Sequence, residues 1–81
     1  MHEFSLARSL VRLAERQLPA VGGRPVRTVT VRLGAFAGIG PDSLTAAFEL
    51  ASAGTRVEGA RLEITPDDGH ELILVALEVE A

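Results

Sequence analysis

The 81-residue sequence contains no cysteine, tryptophan or tyrosine, and only three phenylalanines. Without cysteine the chain has no disulfide, no thiolate metal site and no thiol nucleophile. With so few aromatic residues, the core must be built from leucine, valine, isoleucine and alanine. No apolar run reaches the roughly 18 residues of a membrane-spanning helix, and the N-terminus lacks the layout of a signal peptide. We therefore expect a cytoplasmic protein without membrane contact.

Charge and composition narrow the class of protein further. Hydrophobic residues make up 47% of the chain, which is ordinary for a globular fold and too high for a disordered one. We expect residues 1–81 to form a single domain with a modest core. The net charge of -3 argues against nonspecific nucleic-acid binding. All eight basic residues are arginines, and three of them mark a solvated helix face: Arg8, Arg12 and Arg16.

The first half of the chain predicts a helix followed by a strand. Residues 4 to 18 carry apolar residues at helical spacing, with Ser5 as a candidate N-cap and Pro19 ending the helix. A loop of Gly22-Gly23-Arg24-Pro25 follows. Residues 26 to 33 then alternate between apolar and polar side chains, which indicates a half-buried strand.

A glycine-rich connection, residues 34–40, leads into a second helix. Pro41 suits its first turn, and Gly54 suits a left-handed residue just after its end. A glycine-rich loop before a helix can bind an anion through its amides. This loop lacks the Gly-Lys-Ser/Thr signature and the spacing of the dinucleotide fingerprint, so we favour a tight strand-to-helix turn.

The last third predicts two more strands. Leu62 and Ile64 belong to the second strand, and Pro66-Asp67-Asp68-Gly69 has the residues of a hairpin turn. Residues 71 to 79 form the third strand. Its six consecutive apolar residues, 72–77, predict burial on both faces and hence a central position in the sheet.

These elements predict an α+β fold in the order α-β-α-β-β, with two helices packed on one face of a three-stranded mixed sheet. The first two strands and the second helix suit a right-handed crossover, and the last strand is expected to return antiparallel through the hairpin. An apolar central strand would leave the other face of the sheet uncovered. We therefore expect that the protein can form a homo-oligomer.

The start of the chain, Met1-His2-Glu3, offers a chelating set of nitrogens. The Met1 amine and the His2 amide can close a five-membered ring on a metal, and the His2 amide and its Nδ1 can close a six-membered ring. Three nitrogens in one plane suit square-planar nickel(II) or copper(II). His70, after the turn, is either a plain turn residue or a fourth or axial ligand. The alternative interpretation of His2 is a solvated residue at an idle chain end.

The sequence offers little for catalysis. The carboxylates of Glu63, Glu71, Glu78 and Glu80 fall on strands without a pair placed for acid-base work, and Ser43 has no adjacent base. No nucleophilic triad can be assembled from the two histidines. We therefore expect that the protein is not an enzyme.

Several segments resemble the HypA/HybF family of nickel metallochaperones, which act in the maturation of nickel–iron hydrogenases. The resemblance runs in register along nearly the whole chain, through Met1-His2-Glu3-Phe4-Ser5-Leu6-Ala7, Val29-Thr30-Val31-Arg32-Leu33-Gly34, Ser43-Leu44, Ala47-Phe48-Glu49, Gly54-Thr55, Gly59-Ala60, Leu62-Glu63-Ile64 and Leu77-Glu78-Val79-Glu80. It implies that His2 binds Ni(II), helped by the Met1 amine and by main-chain or carboxylate donors of Glu3. It also implies a maturation GTPase or the hydrogenase large subunit as partner.

One departure from the family is large. The family carries a zinc domain with two CxxC pairs between its last two long strands, where this chain has only Thr65-Pro66-Asp67-Asp68-Gly69-His70. A structural zinc site needs four soft or imidazole ligands, so no zinc is expected here. The resemblance thus implies a nickel-binding domain with a turn at 65–70 in place of the zinc domain. The alternatives are a metal-free module that docks on maturation partners or self-associates, and a small regulator unrelated to hydrogenases.

Overall fold

The computed structural model describes residues 2–18 and 22–80. Its helices and strands follow one another as α1 (His2–Gln17), β1 (Val26–Gly34), α2 (Pro41–Ser52), β2 (Arg61–Asp67) and β3 (Leu72–Val79). The two helices pack on a three-stranded mixed sheet, which confirms the predicted α+β class and the predicted element order. Met1 and Pro19, for which the sequence makes predictions, lie outside the described residues.

Helix α1 begins earlier than its periodicity suggests. It starts at His2 rather than at residue 4, so Ser5 lies inside the helix and the prediction that it is the N-cap is wrong. Glu3 falls in the first turn, where a carboxylate interacts favourably with the positive end of the helix dipole. The helix does bury an apolar face, formed by Ala7, Leu10, Val11 and Ala14, but Leu13, which shares the predicted apolar spacing, is 41% exposed. His2 and Glu3 therefore lie on a regular helix.

The sheet has the order β2-β1-β3, so β1 is its central strand. β1 pairs parallel with β2, as a crossover through α2 requires, and antiparallel with β3. The expectation that the last strand is central is therefore wrong. The predicted hairpin is also wrong, because β2 and β3 pair with opposite sides of β1 rather than with each other.

The apolar run in β3 is buried on one face only. Leu72, Leu74, Leu77 and Val79 pack against the core, whereas Val75 is 53% exposed. The pairing of β3 with β1 shifts by one residue after Thr30. Thr30 pairs with Ala76 and Val31 pairs with Leu74, so Val75 is the extra residue of a bulge. The run is thus an edge strand whose outer face is also apolar. The central strand instead carries threonine and arginine on its far face, which removes the predicted reason for self-association.

Helix α2 packs against α1 and completes the core. It begins at Pro41 with Gly40 as an N-cap that has no side-chain hydrogen bond, and Gly54 beyond its end has a φ of 77°, as its predicted left-handed role requires. Phe48 and Leu44 are fully buried between the helices and the sheet. Across residues 2–18 and 22–80, no helix has the length and apolar character needed to cross a membrane.

Candidate metal centre

The start of α1 leaves main-chain nitrogens available to a ligand. The first four N–H groups of an α-helix have no acceptor inside the helix. His2 and Glu3 are the first two residues of α1, so their amides belong to this group. The His2 side chain is exposed, and no packing has to be broken for it to bind a metal.

A groove of about 460 Å³ lies between the first turns of α1 and the short connection from β2 to β3, residues 68–71. His2 lines it from the helix, and His70 lines it from the connection. The fold therefore brings the only two histidines of the chain to one groove. Its other lining residues include Glu71 and the apolar side chains Leu6, Leu13 and Leu72.

The connection that carries His70 is fixed on the end of β1. The amides of Gly34, Ala35 and Phe36 donate to the carbonyls of Glu71, Asp67 and Gly69, over 2.9, 2.7 and 3.0 Å. The Gly69 amide also donates to Asp67 Oδ2 over 3.3 Å. At Gly34 a side chain would collide with the main chain of the connection, so glycine is needed for this close approach.

These hydrogen bonds also decide the role of the glycine-rich connection before α2. The amides of residues 34–37 all donate to main-chain carbonyls of the protein. They are therefore not free to surround a phosphate group. This first part of the loop is a tight turn, as the sequence favours.

His70 has an aromatic neighbour that the sequence did not indicate. The ring centroids of Phe36 and His70 are 5.4 Å apart, with the ring planes tilted by 33°. This lies within the range of favourable aromatic pairs. Phe36 is 68% exposed and lies outside the core. The sequence offered one signal, because Phe36 is a lone aromatic residue in a loop of small residues. Its partner His70 lies 34 positions further along the chain, so the local pattern could not identify the pair.

Glu3 lies on a different face of α1 from His2. Its side chain lines a second groove, of about 500 Å³, together with Phe4, Ser43, Ala46 and Leu50. Successive helix residues are about 100° apart around the axis, so the two side chains diverge. The Glu3 carboxylate is thus not brought to His70, although its main-chain nitrogen remains beside that of His2.

The described residues contain no cluster of three or more histidine, cysteine, aspartate or glutamate side chains able to hold a metal. A metal here needs main-chain or terminal nitrogens beside the imidazoles. The Met1 amine, predicted as one of them, lies outside residues 2–18 and 22–80. Such a nitrogen-rich set suits nickel(II) or copper(II) better than magnesium or calcium.

Comparison with known sequences connects this geometry with nickel proteins. The family model described as "Hydrogenase/urease nickel incorporation, metallochaperone, hypA" matches residues 1–72. The hydrogenase maturation factor HypA of Roseiflexus sp. (strain RS-1) is 52% identical over 64 residues, 79% of this chain and 52% of that protein. HypA of Azotobacter vinelandii is 42% identical over 70 residues, 86% of this chain and 62% of that protein. The chain thus spans about half to three fifths of these curated relatives.

A solved structure gives the same likeness at the level of the fold. The solution structure of the Ni metallochaperone HypA from Helicobacter pylori matches with a TM-score of 0.71. The match covers 91% of this chain and 70% of that one, at 21% sequence identity. The two share the strand order of the sheet.

Proposed function

The chain belongs to the HypA family of nickel metallochaperones, and we propose that it binds one Ni(II) ion as cargo through its first residues. The observation that carries the proposal is the position of His2, exposed at the start of α1 and facing a groove. The family match includes this segment, since it starts at residue 1. The metal is passed on during maturation of a nickel enzyme.

The proposed ligands are the Met1 amine, the His2 amide and Nδ1, and a donor of Glu3. We assign the Glu3 donor to its main-chain nitrogen, because its carboxylate lines another groove. A main-chain nitrogen binds nickel after losing its proton. The positive end of the helix dipole favours the resulting negative charge. These amides have no hydrogen-bond acceptor within α1, so no helical hydrogen bond is lost when they bind the metal.

An exposed site of this kind suits delivery rather than storage. Nickel held at the chain start can be reached by a second protein's ligands without unfolding the core. Imidazole and amine nitrogens bind either a proton or a metal, so nickel affinity should fall as the pH is lowered. Because the chain has no cysteine, a zinc site with thiolate ligands plays no part in this proposal.

The partners follow from family membership. We propose a cytoplasmic role in hydrogenase maturation, with a maturation GTPase or the hydrogenase large subunit receiving or supplying the ion. The similar proteins of Roseiflexus and Azotobacter vinelandii are hydrogenase maturation factors, which supports this assignment.

Nickel titration of the free N-terminus tests the role of the Met1 amine. Protein with an unextended N-terminus is compared by calorimetry with protein carrying a short N-terminal extension, and a C-terminal extension of the same sequence is the matched control. We expect the N-terminal extension to weaken binding by at least tenfold, about 1.4 kcal/mol, and the C-terminal one to leave it unchanged. Equal affinities for all three proteins would remove the amine from the ligand set.

A metal-free interaction module is the second candidate, and the edge strand β3 is the observation that favours it. An edge strand leaves one row of main-chain groups unpaired, and an apolar edge is prone to pair with another chain. β3 carries six consecutive apolar residues, of which Val75 is 53% exposed. This candidate predicts no nickel uptake and a homo-oligomer in sedimentation experiments that Val75→Lys converts to a monomer.

A further inference from the structure

We propose that His70 binds the nickel ion from the opposite side of the groove to His2, and that Phe36 is a positioning residue that holds the His70 ring in place. This inference rests on the proposed function and adds a ligand that is remote in sequence. The site would then join His2, at the start of α1, to the connection between β2 and β3. Nickel binding would depend on the fold and not only on the first three residues.

The first supporting observation is that the groove joins the two histidines. His2 enters it from the first turn of α1 and His70 from the connection. The walls are largely apolar, with Leu6, Leu13 and Leu72, so the polar groups that face a bound ion are few. An imidazole is a good donor for nickel and needs no charge compensation. His70 would add a second imidazole nitrogen to the donors at the start of α1.

The second observation is that the His70 main chain is held before any metal arrives. Three main-chain hydrogen bonds tie residues 67–71 to the end of β1, and the Asp67 carboxylate accepts a further one from Gly69. A ligand on a fixed segment loses little conformational entropy when it binds. A plain surface turn would not require the close approach at Gly34, where even a Cβ atom would collide with the main chain of Gly69.

The third observation is the position of Phe36. Its side chain is 68% exposed, so core packing does not explain it, while its ring lies 5.4 Å from that of His70. Its amide also donates to the Gly69 carbonyl, next to His70 in the chain. Phe36 therefore contacts the connection through both main chain and side chain. Groups that orient a ligand histidine strengthen metal binding by restricting the ring.

Imidazole ¹⁵N–¹H spectra of the untagged 81-residue protein during titration with nickel chloride test the inference. Because the chain has only two histidines, their signals can be assigned with His2→Ala and His70→Ala. We expect both imidazoles to shift or broaden at one equivalent of nickel. A change confined to His2 would overturn the role of His70 and leave the proposed function intact. A nickel ion that affects neither ring would contradict the proposed function itself.

Calorimetry of a double-mutant cycle tests Phe36. We expect His70→Ala to weaken nickel binding on the order of tenfold. Phe36→Ala should weaken it between about twofold and tenfold, as for the loss of one aromatic pair. In the His70→Ala background, Phe36→Ala should then have no further effect, because it acts through His70. Additive losses would overturn the positioning role. Thermal unfolding of each variant shows whether the fold is retained, and Phe36→Leu separates loss of the ring from loss of apolar bulk.

Discussion

At the scale of single residues, Glu3 contains two kinds of donor that face different ways. The carboxylate faces the groove formed with α2, whereas the main-chain nitrogen lies next to that of His2. We therefore expect Glu3→Ala to retain nickel binding within about twofold, since it keeps the amide. Glu3→Pro removes the N–H, which a first helical turn tolerates, and should weaken binding by tenfold or more. Titration calorimetry of the pair decides which donor acts, and a loss in both variants would point to the carboxylate.

Gly34 is the residue on which the His70 connection depends most directly. Gly34→Ala should reduce the free energy of unfolding by about 1–3 kcal/mol, because the added methyl group overlaps the main chain of the connection. It should also weaken nickel binding, because it displaces His70. Gly40→Ala is the matched control, since a Cβ there meets nothing within 4 Å. Urea unfolding compares the two, and equal destabilisation would show that the close approach at Gly34 is unimportant.

The sequence allowed part of the candidate site to be predicted. The chelating start depends only on neighbouring residues, so Met1, His2 and Glu3 could be identified from their order. The pairing of His70 with Phe36 and their approach to His2 depend on how β1, the connection and α1 meet. Those contacts join residues far apart in the chain, and no local pattern encodes them.

At the scale of elements, α1 illustrates what a hydrophobic pattern determines. Leu10 is 2% exposed and Leu13 is 41% exposed, although both follow the helical apolar spacing. Leu10→Ala should lower the free energy of unfolding by about 2–5 kcal/mol, the usual range for a buried leucine. Leu13→Ala should lower it by less than about 1 kcal/mol. Chemical denaturation measures both, and similar losses would mean that α1 packs on a different face.

The strands show where a sequence pattern reaches its limit. Helix periodicity, strand alternation and the apolar run 72–77 predicted all five elements, because each is a local pattern. The order of strands did not follow, because a run such as 72–77 fits a central strand as well as an edge strand with a bulge. The turn residues predicted a reversal after β2 correctly. They could not show that the chain crosses the end of β1 before β3 begins.

At the scale of the whole molecule, the core is formed by apolar side chains and does not depend on a metal ion. The buried residues of both helices and β1 form one cluster, and no buried side-chain nitrogen or oxygen atom in the described part of the chain lacks a hydrogen-bond partner. We expect protein treated with EDTA to unfold in a single cooperative transition. Added nickel should stabilise it through mass action, by about 2.7 kcal/mol at a free concentration 100 times the Kd. Calorimetric scanning with and without EDTA tests this, and an unfolded metal-free protein would contradict it.

Calorimetric titration with nickel shows whether His2 carries the metal. Wild-type protein, His2→Ala and the control Arg8→Ala, an exposed side chain on the same helix, are compared at equal concentration and pH. We expect one nickel per chain in the wild type and in Arg8→Ala, and loss of measurable binding in His2→Ala. Unchanged binding by His2→Ala would contradict the claim that the first residues of this chain carry the metal.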